Sequence, residues 1–544
     1  MADPGAAKLC TQIVRSHFGS LTATVASALL TRGRLNLIQI VQFTSLKYRT
    51  VRAAVLVLFQ QNLLWRSSAG EEKEVLEFNV DECLTRLRFG RYVWWAEKKC
   101  GALGGAVVQL VLDHGKLKPP DIYRLLQEST PDLLLSECRE TMYKLVSERY
   151  LRPTTALSHI SPREKLIQYE VEEVGKMTGF LTAKEQRQAK EIALARVKRE
   201  ELEEVTEKKA TRCCSNVDHD EIKKKPMEEE ADDEVHFRVN FNRFDVFIRN
   251  RLVEAAAFQR FNEGAVAVIR ATLSVSENKQ QGPNETKSDP VSVNNISARI
   301  PEDEDLSRGL HYPPKHKPSH MDLLKEYLGM LASADNPSPS GKAASFVSLS
   351  GSKVQVEFDI IHRRMQLQAL EAACRDRHGN EGVRVMRLLL ETGKMDEKQI
   401  SKIAMMAPKD CRPLLFALSA DNFISLQEVP RGADRNPTRT FFLWYVDLRK
   451  AYATLLRSAY KTLYNIGVRR QSEAEEPLVK AIVEKSQRSD VSQDVERLLT
   501  RNEREELVAW EKRRDELTLV ETRVEEVVFI LRTLGNIVVD DQPG

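Results

Sequence analysis

A six-residue pattern occurs three times in this chain, at long and irregular intervals. It reads TRGRLN at residues 31–36, DHGKLK at 113–118 and ETGKMD at 391–396. In each copy a glycine comes directly after an apolar stretch with helical spacing, where a left-handed helix C-cap is expected. We therefore predict that three equivalent helices end at Gly33, Gly115 and Gly393. The basic residue after each glycine is interpreted as incidental to the pattern.

The same order of elements follows each glycine. A short apolar strand held by Leu35, Leu117 or Met395 comes first, then a short helix, a longer helix and a strand beginning at NLL, RYL or NFI. A helix, a short strand, two helices and a hairpin form a winged-helix domain. The second strands of the three hairpins are predicted at EVLEFNV, at KLIQYEV (165–171) and at TRTFFLWYV.

A fourth, less regular copy is predicted between residues 236 and 358. Amphipathic helices and a hairpin that turns at 350–352 are present, and a polar insert at 276–307 interrupts them. The predicted fold class is mainly α with small β-hairpins: about four tandem winged-helix domains followed by a C-terminal coiled coil. The predicted boundaries are 1–80 (basic first winged helix), 81–181 (second), 182–235 (charged helix and acidic linker), 236–358 (third), 359–469 (fourth) and 470–544 (C-terminal helices).

The C-terminal region has apolar residues at heptad spacing, which is typical of a coiled-coil seam. The predicted interface residues are Trp510, Leu517, Val520, Val524, Val527, Leu531 and Leu534. The alternative is a long helix that lies on the core of its own chain.

Composition and motifs narrow the class of protein. No run of 18 apolar residues predicts a membrane span, and eight cysteines without a CxxC pair indicate a reducing compartment. No catalytic motif is found, and KCGALGGAVV lacks the phosphate-binding fingerprints, so its three glycines, Gly101, Gly104 and Gly105, are interpreted as a hinge before a helix. We expect a protein that is not an enzyme, with no catalytic residue, metal site or cofactor.

The charge is distributed unevenly along the chain. Residues 4–70 contain eight Lys or Arg and no Asp or Glu, which suits a surface that binds a polyanion. In the longer helix of this domain, Tyr48, Val51, Val55 and Leu58 form the predicted core stripe. The outer face then carries the DNA-binding candidates Lys47, Arg49 and Arg52, with Arg66 nearby. An ordinary solvated helix face is the alternative.

The other copies carry less positive charge. Residues 101–155 hold seven acids and seven bases, which favours protein docking, while residues 379–446 hold ten bases and eight acids. The further DNA-binding candidates are Lys409, Arg412, Arg431, Arg435 and Arg439.

The chain resembles the large subunit of the RNA polymerase III heterotrimer, a family similar to the TFIIE alpha subunit. The stretches KLCTQIVRSHFGSLTATVASALLTRGRLNLIQIV and FRVNFNRFDVFIRNRLVEAAAFQRFNEGAVAVIRATL carry the resemblance. It implies a non-catalytic nuclear subunit that acts in transcription initiation for tRNA and 5S rRNA. The implied partners are two heterotrimer subunits, the clamp of the largest subunit, a TFIIIB-type initiation factor and promoter DNA, in double- or single-stranded form.

Two other functions remain open. A gene-specific transcription factor would need base-reading side chains in a symmetric dimer. A scaffold whose winged helices bind only protein is the second, and the acid-free first domain argues against it.

Overall fold

The computed structural model of the chain is mainly helical, with small antiparallel sheets. It describes residues 3–67, 74–130, 134–176, 183–206, 211–213, 229–301, 304, 306–310, 319–332, 345–430, 440–488 and 499–535. The chain forms two compact units, Met1–Phe244 and Asp245–Gly544. In these described ranges, no helix is long and apolar enough to cross a membrane.

The first repeat contains three helices and a three-stranded sheet. Its elements are α1 (Pro4–Arg32), β1 (Leu35–Asn36), α2 (Leu37–Thr44), α3 (Tyr48–Gln60), β2 (Leu64–Arg66) and β3 (Val75–Phe78). The antiparallel sheet has the order β1-β3-β2. Asn36 starts α2 with a capping box, because its side chain accepts from the Gln39 amide while the Gln39 side chain accepts from the Asn36 amide. These elements and their order match the predicted winged helix.

Glycines both break and end the first helix of three repeats. The breaks have positive φ angles at Gly19 (83°), Gly101 (80°) and Gly379 (68°). The terminal glycines also have positive φ angles, at Gly33 (85°), Gly115 (81°) and Gly393 (88°). Each break precedes its terminal glycine by 14 positions. The predicted helix ends are confirmed, but the ψ angles of −137°, −50° and −121° differ from those of the expected left-handed cap. Of the glycines predicted to form a hinge, only Gly101 breaks the helix.

The second repeat forms its wing from two distant parts of the chain. Its elements are α4 (Val80–Leu84), α5 (Phe89–His114), α6 (Pro119–Ser129), α7 (Leu135–Ser147), β4 (Leu151–Pro153) and β7 (Phe237–Val239). Strand β4 pairs antiparallel with β7, and the amide of Leu117 donates to the carbonyl of Phe237 at 3.2 Å. Strand β7 is therefore part of the second repeat, although the predicted boundary at 236 places it in the third.

The predicted strand at 165–171 is wrong. These residues lie in α8 (Pro162–Gly175), which packs against α9 (Ala183–Thr206) through Tyr169, Ala193 and Val197. The run KLIQYEV also has apolar residues spaced for a helix face, and Pro162 is placed at the start of the helix, where proline is favoured. Helix α9 confirms the predicted charged helix. Beyond it, β5 (Thr211–Cys213) pairs with β6 (Glu229–Ala231).

The third repeat uses residues that the sequence assigned to an insert. Its elements are α10 (Phe241–Arg260), α11 (Glu263–Ser276), β8 (Val291–Ser292), α12 (Val293–Ser297), α13 (His320–Ala332), β9 (Val347–Ser350) and β10 (Lys353–Val356). The sheet order, β8-β10-β9, repeats that of the first sheet. The predicted insert at 276–307 therefore supplies the short strand and the short helix, held by the buried Val291 and Ile296.

Arg249 fixes the beginning of this segment. Its fully buried guanidinium stacks on the Phe358 ring at 3.7 Å and donates to the Gln280 side chain at 2.6 Å. It also donates to the carbonyls of Gly282 and Pro283 at 3.2 and 3.3 Å. Polar composition predicted an insert here, but the Gln280 side chain and the carbonyls of Gly282 and Pro283 are bound to a buried cation.

The fourth repeat follows the order of the first. Its elements are α14 (Phe358–Thr392), α15 (Glu397–Ile403), α16 (Pro408–Ala420), β11 (Ser425–Pro430) and β12 (Thr440–Tyr445). Strands β11 and β12 form the hairpin, and Met395 makes an antiparallel bridge to Trp444. The Asp396 side chain caps α15 through a second capping box, formed with Gln399.

In three repeats, a residue in the turn just before the first strand of the wing has a left-handed backbone. The φ angles are 58° at Asn62, 65° at Arg149 and 61° at Asn422. Asn tolerates this conformation better than a long side chain does. We expect Arg149→Asn to stabilise the chain by about 0.5 to 1 kcal/mol, measured by urea denaturation. Asn422→Arg should lower the free energy of unfolding by a similar amount. If neither variant changed this free energy, the explanation would be contradicted.

The C-terminal helices are α17 (Leu448–Ala474), α18 (Pro477–Ser486) and α19 (Arg501–Val528), followed by a π-helical turn at Phe529–Thr533. Helix α19 packs on α17, where the Arg470 guanidinium binds both carboxylate oxygens of Glu521 at 2.7 and 3.1 Å. Of the predicted seam, Leu531 and Leu534 are buried and Val520 is 44% exposed. The half-buried members are Trp510, Leu517, Val524 and Val527.

The buried end of the seam lies against its own chain. The Gln366 side chain donates to the Ile530 carbonyl at 3.3 Å, and Arg532 donates to the Tyr460 hydroxyl at 2.8 Å. The burial of Leu531 and Leu534 therefore favours the alternative, in which the C-terminal helix lies on the core of its own chain. The coiled coil stays a prediction for the remaining part of α19.

Candidate nucleic-acid interface

Helix α3 packs on the first repeat along one stripe. Val51, Ala54, Val55 and Leu58 are buried on this stripe. Tyr48 was predicted to belong to it, but its side chain is 55% exposed. Residues 48–50 of the first turn are exposed or half-buried and burial begins at Val51, so the predicted periodicity is correct only from Val51 onward.

Three cations are exposed at the start of α3. Lys47 is the N-cap residue, and Arg49 and Arg52 lie one turn apart on the outer face. In the described part of the chain, none of the three has an ion pair or a side-chain hydrogen bond. Cations that are not neutralised by neighbouring carboxylates remain available to phosphates.

Other cations of the first repeat are already engaged. Arg34 binds Glu77 of β3 at 2.8 Å and also forms an ion pair with Glu164 of α8. The Arg32 guanidinium lies 3.9 Å from the centre of the Phe43 ring. Arg66 is half-buried, and its backbone makes a parallel bridge to Ile160. Arg66 stays a predicted DNA-binding residue beside Arg49 and Arg52.

Two aromatic rings lie close in sequence to the basic residues. Phe43 near the end of α2 is 45% exposed, and Tyr48 at the start of α3 is 55% exposed. Exposed rings next to cations can stack on unpaired bases. Phe43 was not predicted, because hydropathy alone assigns an aromatic residue in an amphipathic helix to the core.

The C-terminal end of α3 is covered by the second repeat. The Gln60 side chain donates to the carbonyls of His114 and Lys116 at 3.1 and 2.8 Å, and Gln61 donates to the carbonyl of Asp113 at 2.7 Å. A Cβ atom on Gly115 would lie 2.3 Å from the Gln60 carbonyl oxygen. Only the C-terminal end of α3 is therefore closed to a ligand. Along the open face, the exposed residues change from basic at Arg49 and Arg52 to apolar at Leu56 and Val57.

The basic residue after each terminal glycine contacts either the wing strands of its own repeat or the neighbouring repeat. The interpretation of this residue as incidental is therefore wrong. Arg34 binds Glu77 of the wing strand β3. Lys394 lies 5.3 Å from the centre of the Tyr445 ring on β12 and also donates to the Gln427 side chain on β11. Lys116 donates to the Phe59 carbonyl at 2.8 Å and lies 2.8 Å from Nε2 of His159.

His159 should make stability depend on pH. Burial, followed by the charges of Lys116, Arg238 and Arg66, lowers the pKa of His159 to about 4, whereas an unfolded histidine titrates near pH 6.5. Between these values the unfolded chain binds the extra proton, so the stability contributed by neutral His159 is present above about pH 6.5 and lost as the pH falls toward about 4.

Denaturation midpoints across this range measure the effect. We expect His159→Asn to reduce the acid-side loss of stability. His114→Gln, at an exposed position at the end of α5, is the matched control. An equal pH dependence in wild type and His159→Asn would contradict the assignment.

The fourth repeat has fewer available cations than predicted. Lys409 is exposed at the start of α16. Arg412 is engaged with the Glu397 carboxylate at 2.9 Å. Arg431, Arg435 and Arg439 lie outside the described residues. The neighbouring surface is apolar, with Met405 89% and Phe416 58% exposed. Contact of the fourth repeat with DNA stays a prediction, and among its described candidates only Lys409 is exposed without an ion pair to a described residue.

Comparisons with known proteins all identify similarity to one subunit of RNA polymerase III. Three family profiles match: the RNA polymerase III subunit RPC82 helix-turn-helix domain at 8–65, RNA polymerase III subunit RPC82 at 140–340, and the POLR3C C-terminal winged-helix domain at 370–446. The chain is 26% identical over 564 residues to DNA-directed RNA polymerase III subunit RPC3 of Bos taurus, covering 97% of both chains. It is 26% identical over 565 residues to the Homo sapiens subunit, with the same coverage. To subunit rpc3 of Aspergillus clavatus it is 24% identical over 637 residues, covering 98% of this chain and 100% of the relative.

Proposed function

Because the chain belongs to the family of the RPC3 subunit of RNA polymerase III, we propose that it acts as a non-catalytic subunit in transcription initiation. In this role its first winged helix contacts promoter DNA through Lys47, Arg49 and Arg52. The observation that carries the proposal is that these three exposed cations lie in an acid-free segment, while Arg34 is paired with carboxylates.

The contact is with phosphates and exposed bases, and it does not read a sequence. The amide side chains at the end of α3, which could read adenine, are bound to backbone carbonyls of the second repeat. The exposed rings of Phe43 and Tyr48 suit stacking on unpaired bases. These features favour a general contact with melting promoter DNA over a gene-specific transcription factor.

The partners follow from the family. We infer two further subunits of a heterotrimer, the clamp of the largest polymerase subunit, a TFIIIB-type initiation factor and a nuclear location. The balanced charge of the second repeat and the apolar surface around Met405 and Phe416 suit protein docking. Four tandem winged helices are supported by the element order of the four repeats.

Transcription by reconstituted polymerase III tests the proposal. Polymerase containing Lys47→Glu/Arg49→Glu/Arg52→Glu should lose initiation on a closed tRNA-gene promoter, because added negative charge repels DNA. On a template with a pre-melted bubble it should regain most activity. Equal activity on both templates for wild type and variant would exclude the DNA role. An equal loss on both templates would indicate a defect in assembly.

A further inference from the structure

A group of basic side chains meets at the junction of the first repeat, the second repeat and the segment that leads into α8. Lys116 lies between the Phe59 carbonyl oxygen and Nε2 of His159, at 2.8 Å from each. The His159 ring packs edge-on against the Phe59 ring, with centroids 6.0 Å apart. Arg66 lies beside His159, because its backbone pairs with Ile160.

Further cations lie behind these three residues. Arg152 on β4 and Arg238 on β7 are directly opposite each other across the wing, a like-charge pairing that is unfavourable by itself. The Glu82 carboxylate approaches both, at 3.8 Å from Arg152 and 3.4 Å from Arg238. The charges of Lys118, Lys116 and Asp121 also act on the nearby His236 ring.

The electrostatics show an excess of positive charge at His159. The three charged groups that act on its ring are Lys116, Arg238 and Arg66, all cations. Burial, and then the charge of Arg238, also lowers the pKa of Lys116 to about 8. An anion at this position would offset both effects, since an opposite charge favours the charged form of a base.

Donors remain available for such an anion. An ammonium group has three N–H donors, and the described contacts of Lys116 use two of them. The Arg66 guanidinium has no hydrogen bond or ion pair within the described ranges. Arg66, Lys116 and His159 come from three separate parts of the chain and are all half-buried, and the charges of Lys116 and Arg66 both act on the His159 ring.

We propose that Lys116, His159 and Arg66 form a binding site for a small oxyanion of the phosphate class. Its tetrahedral oxygens can accept from the Lys116 ammonium and the Arg66 guanidinium at once, while Nε2 of His159 accepts from Lys116 and fixes the ammonium in place. The charge of the anion compensates the surrounding cations. The bound anion would strengthen the docking of the first repeat on the second, because Lys116 and Gln60 already join the two there. This site is separate from the exposed face at Lys47, Arg49 and Arg52.

Hydrogen exchange of the full chain in inorganic phosphate, against sodium chloride at equal ionic strength, tests the proposal. We expect phosphate to slow amide exchange several-fold at residues 113–117 and 159–161. Arg49→Glu/Arg52→Glu should keep this protection, and Lys116→Met should lose it. Arg66→Gln, at a half-buried position, is the second variant should Lys116→Met fail to fold, and it should weaken the protection.

Three results would overturn the site. The first is no protection by phosphate, and the second is equal protection by chloride. The third is protection that survives Lys116→Met and Arg66→Gln but disappears in Arg49→Glu/Arg52→Glu, which would assign phosphate binding to the exposed face. A failure of the DNA proposal alone would leave the phosphate effect unchanged.

Discussion

The double variant Arg49→Glu/Arg52→Glu is expected to bind DNA roughly 100-fold more weakly than wild type at low salt. Two phosphate contacts are lost, and two carboxylates are added to a segment that otherwise has none. The slope of log affinity against log salt concentration should fall in magnitude by about 2, at about 0.9 for each lost contact with duplex DNA. Fluorescence anisotropy with the full chain at several salt concentrations gives both quantities.

A matched control separates this effect from net charge. Arg124→Glu/Lys144→Glu makes the same change in charge on the second repeat, where acids and bases are balanced. This control should retain most of the affinity. If both double variants lose equal affinity, DNA responds to the total charge of the chain and not to the face of α3.

Gly115→Ala is expected to destabilise the first unit by about 3 kcal/mol or more. Two causes add at this position. The backbone has a φ of 81°, which a residue with a side chain adopts at a cost, and the new Cβ would lie 2.3 Å from the Gln60 carbonyl oxygen and 2.9 Å from Gln61 Cα. Both of these atoms belong to the backbone, so no side-chain rotation relieves the overlap.

Gly33→Ala and Gly393→Ala are the controls for the steric overlap of the new Cβ with the neighbouring backbone. Their φ angles are 85° and 88°, but no atom lies within 4 Å of the added Cβ. Each should therefore cost only about 1 to 2 kcal/mol, from the backbone alone. Urea denaturation measures all three variants. If Gly115→Ala cost no more than the other two, the close approach of the two repeats would not be a source of stability.

The helix ends and the order of the elements could be predicted because local chemistry determines them. Gly33, Gly115 and Gly393 each come directly after an apolar stripe, and the structure has a positive φ at all three. The pairing of the second wing could not be predicted, because the partner of β4 follows a long helical insertion. A run such as KLIQYEV fits either a strand or a helix until its neighbours in space are known.

The candidate site was predicted in part. The charge pattern predicted Arg49 and Arg52 because they lie in a segment without acidic residues, and both are exposed in the structure. It could not show that Arg34 and Arg412 are engaged with carboxylates, since Glu164 and Glu397 approach them only in the folded chain. Polar composition at 276–307 suggested an insert, because one sequence does not show that Arg249 binds Gln280. Long-range pairing, and not local propensity, accounts for these differences.

Photo-crosslinking in the assembled polymerase tests the central claim most directly. A photoreactive residue at position 49 or 52 of α3, in polymerase III bound to a labelled tRNA-gene promoter, should crosslink to DNA. The same residue at position 124 of the second repeat should not. Crosslinks from positions 49 and 52 to protein subunits alone would contradict a DNA contact by this face.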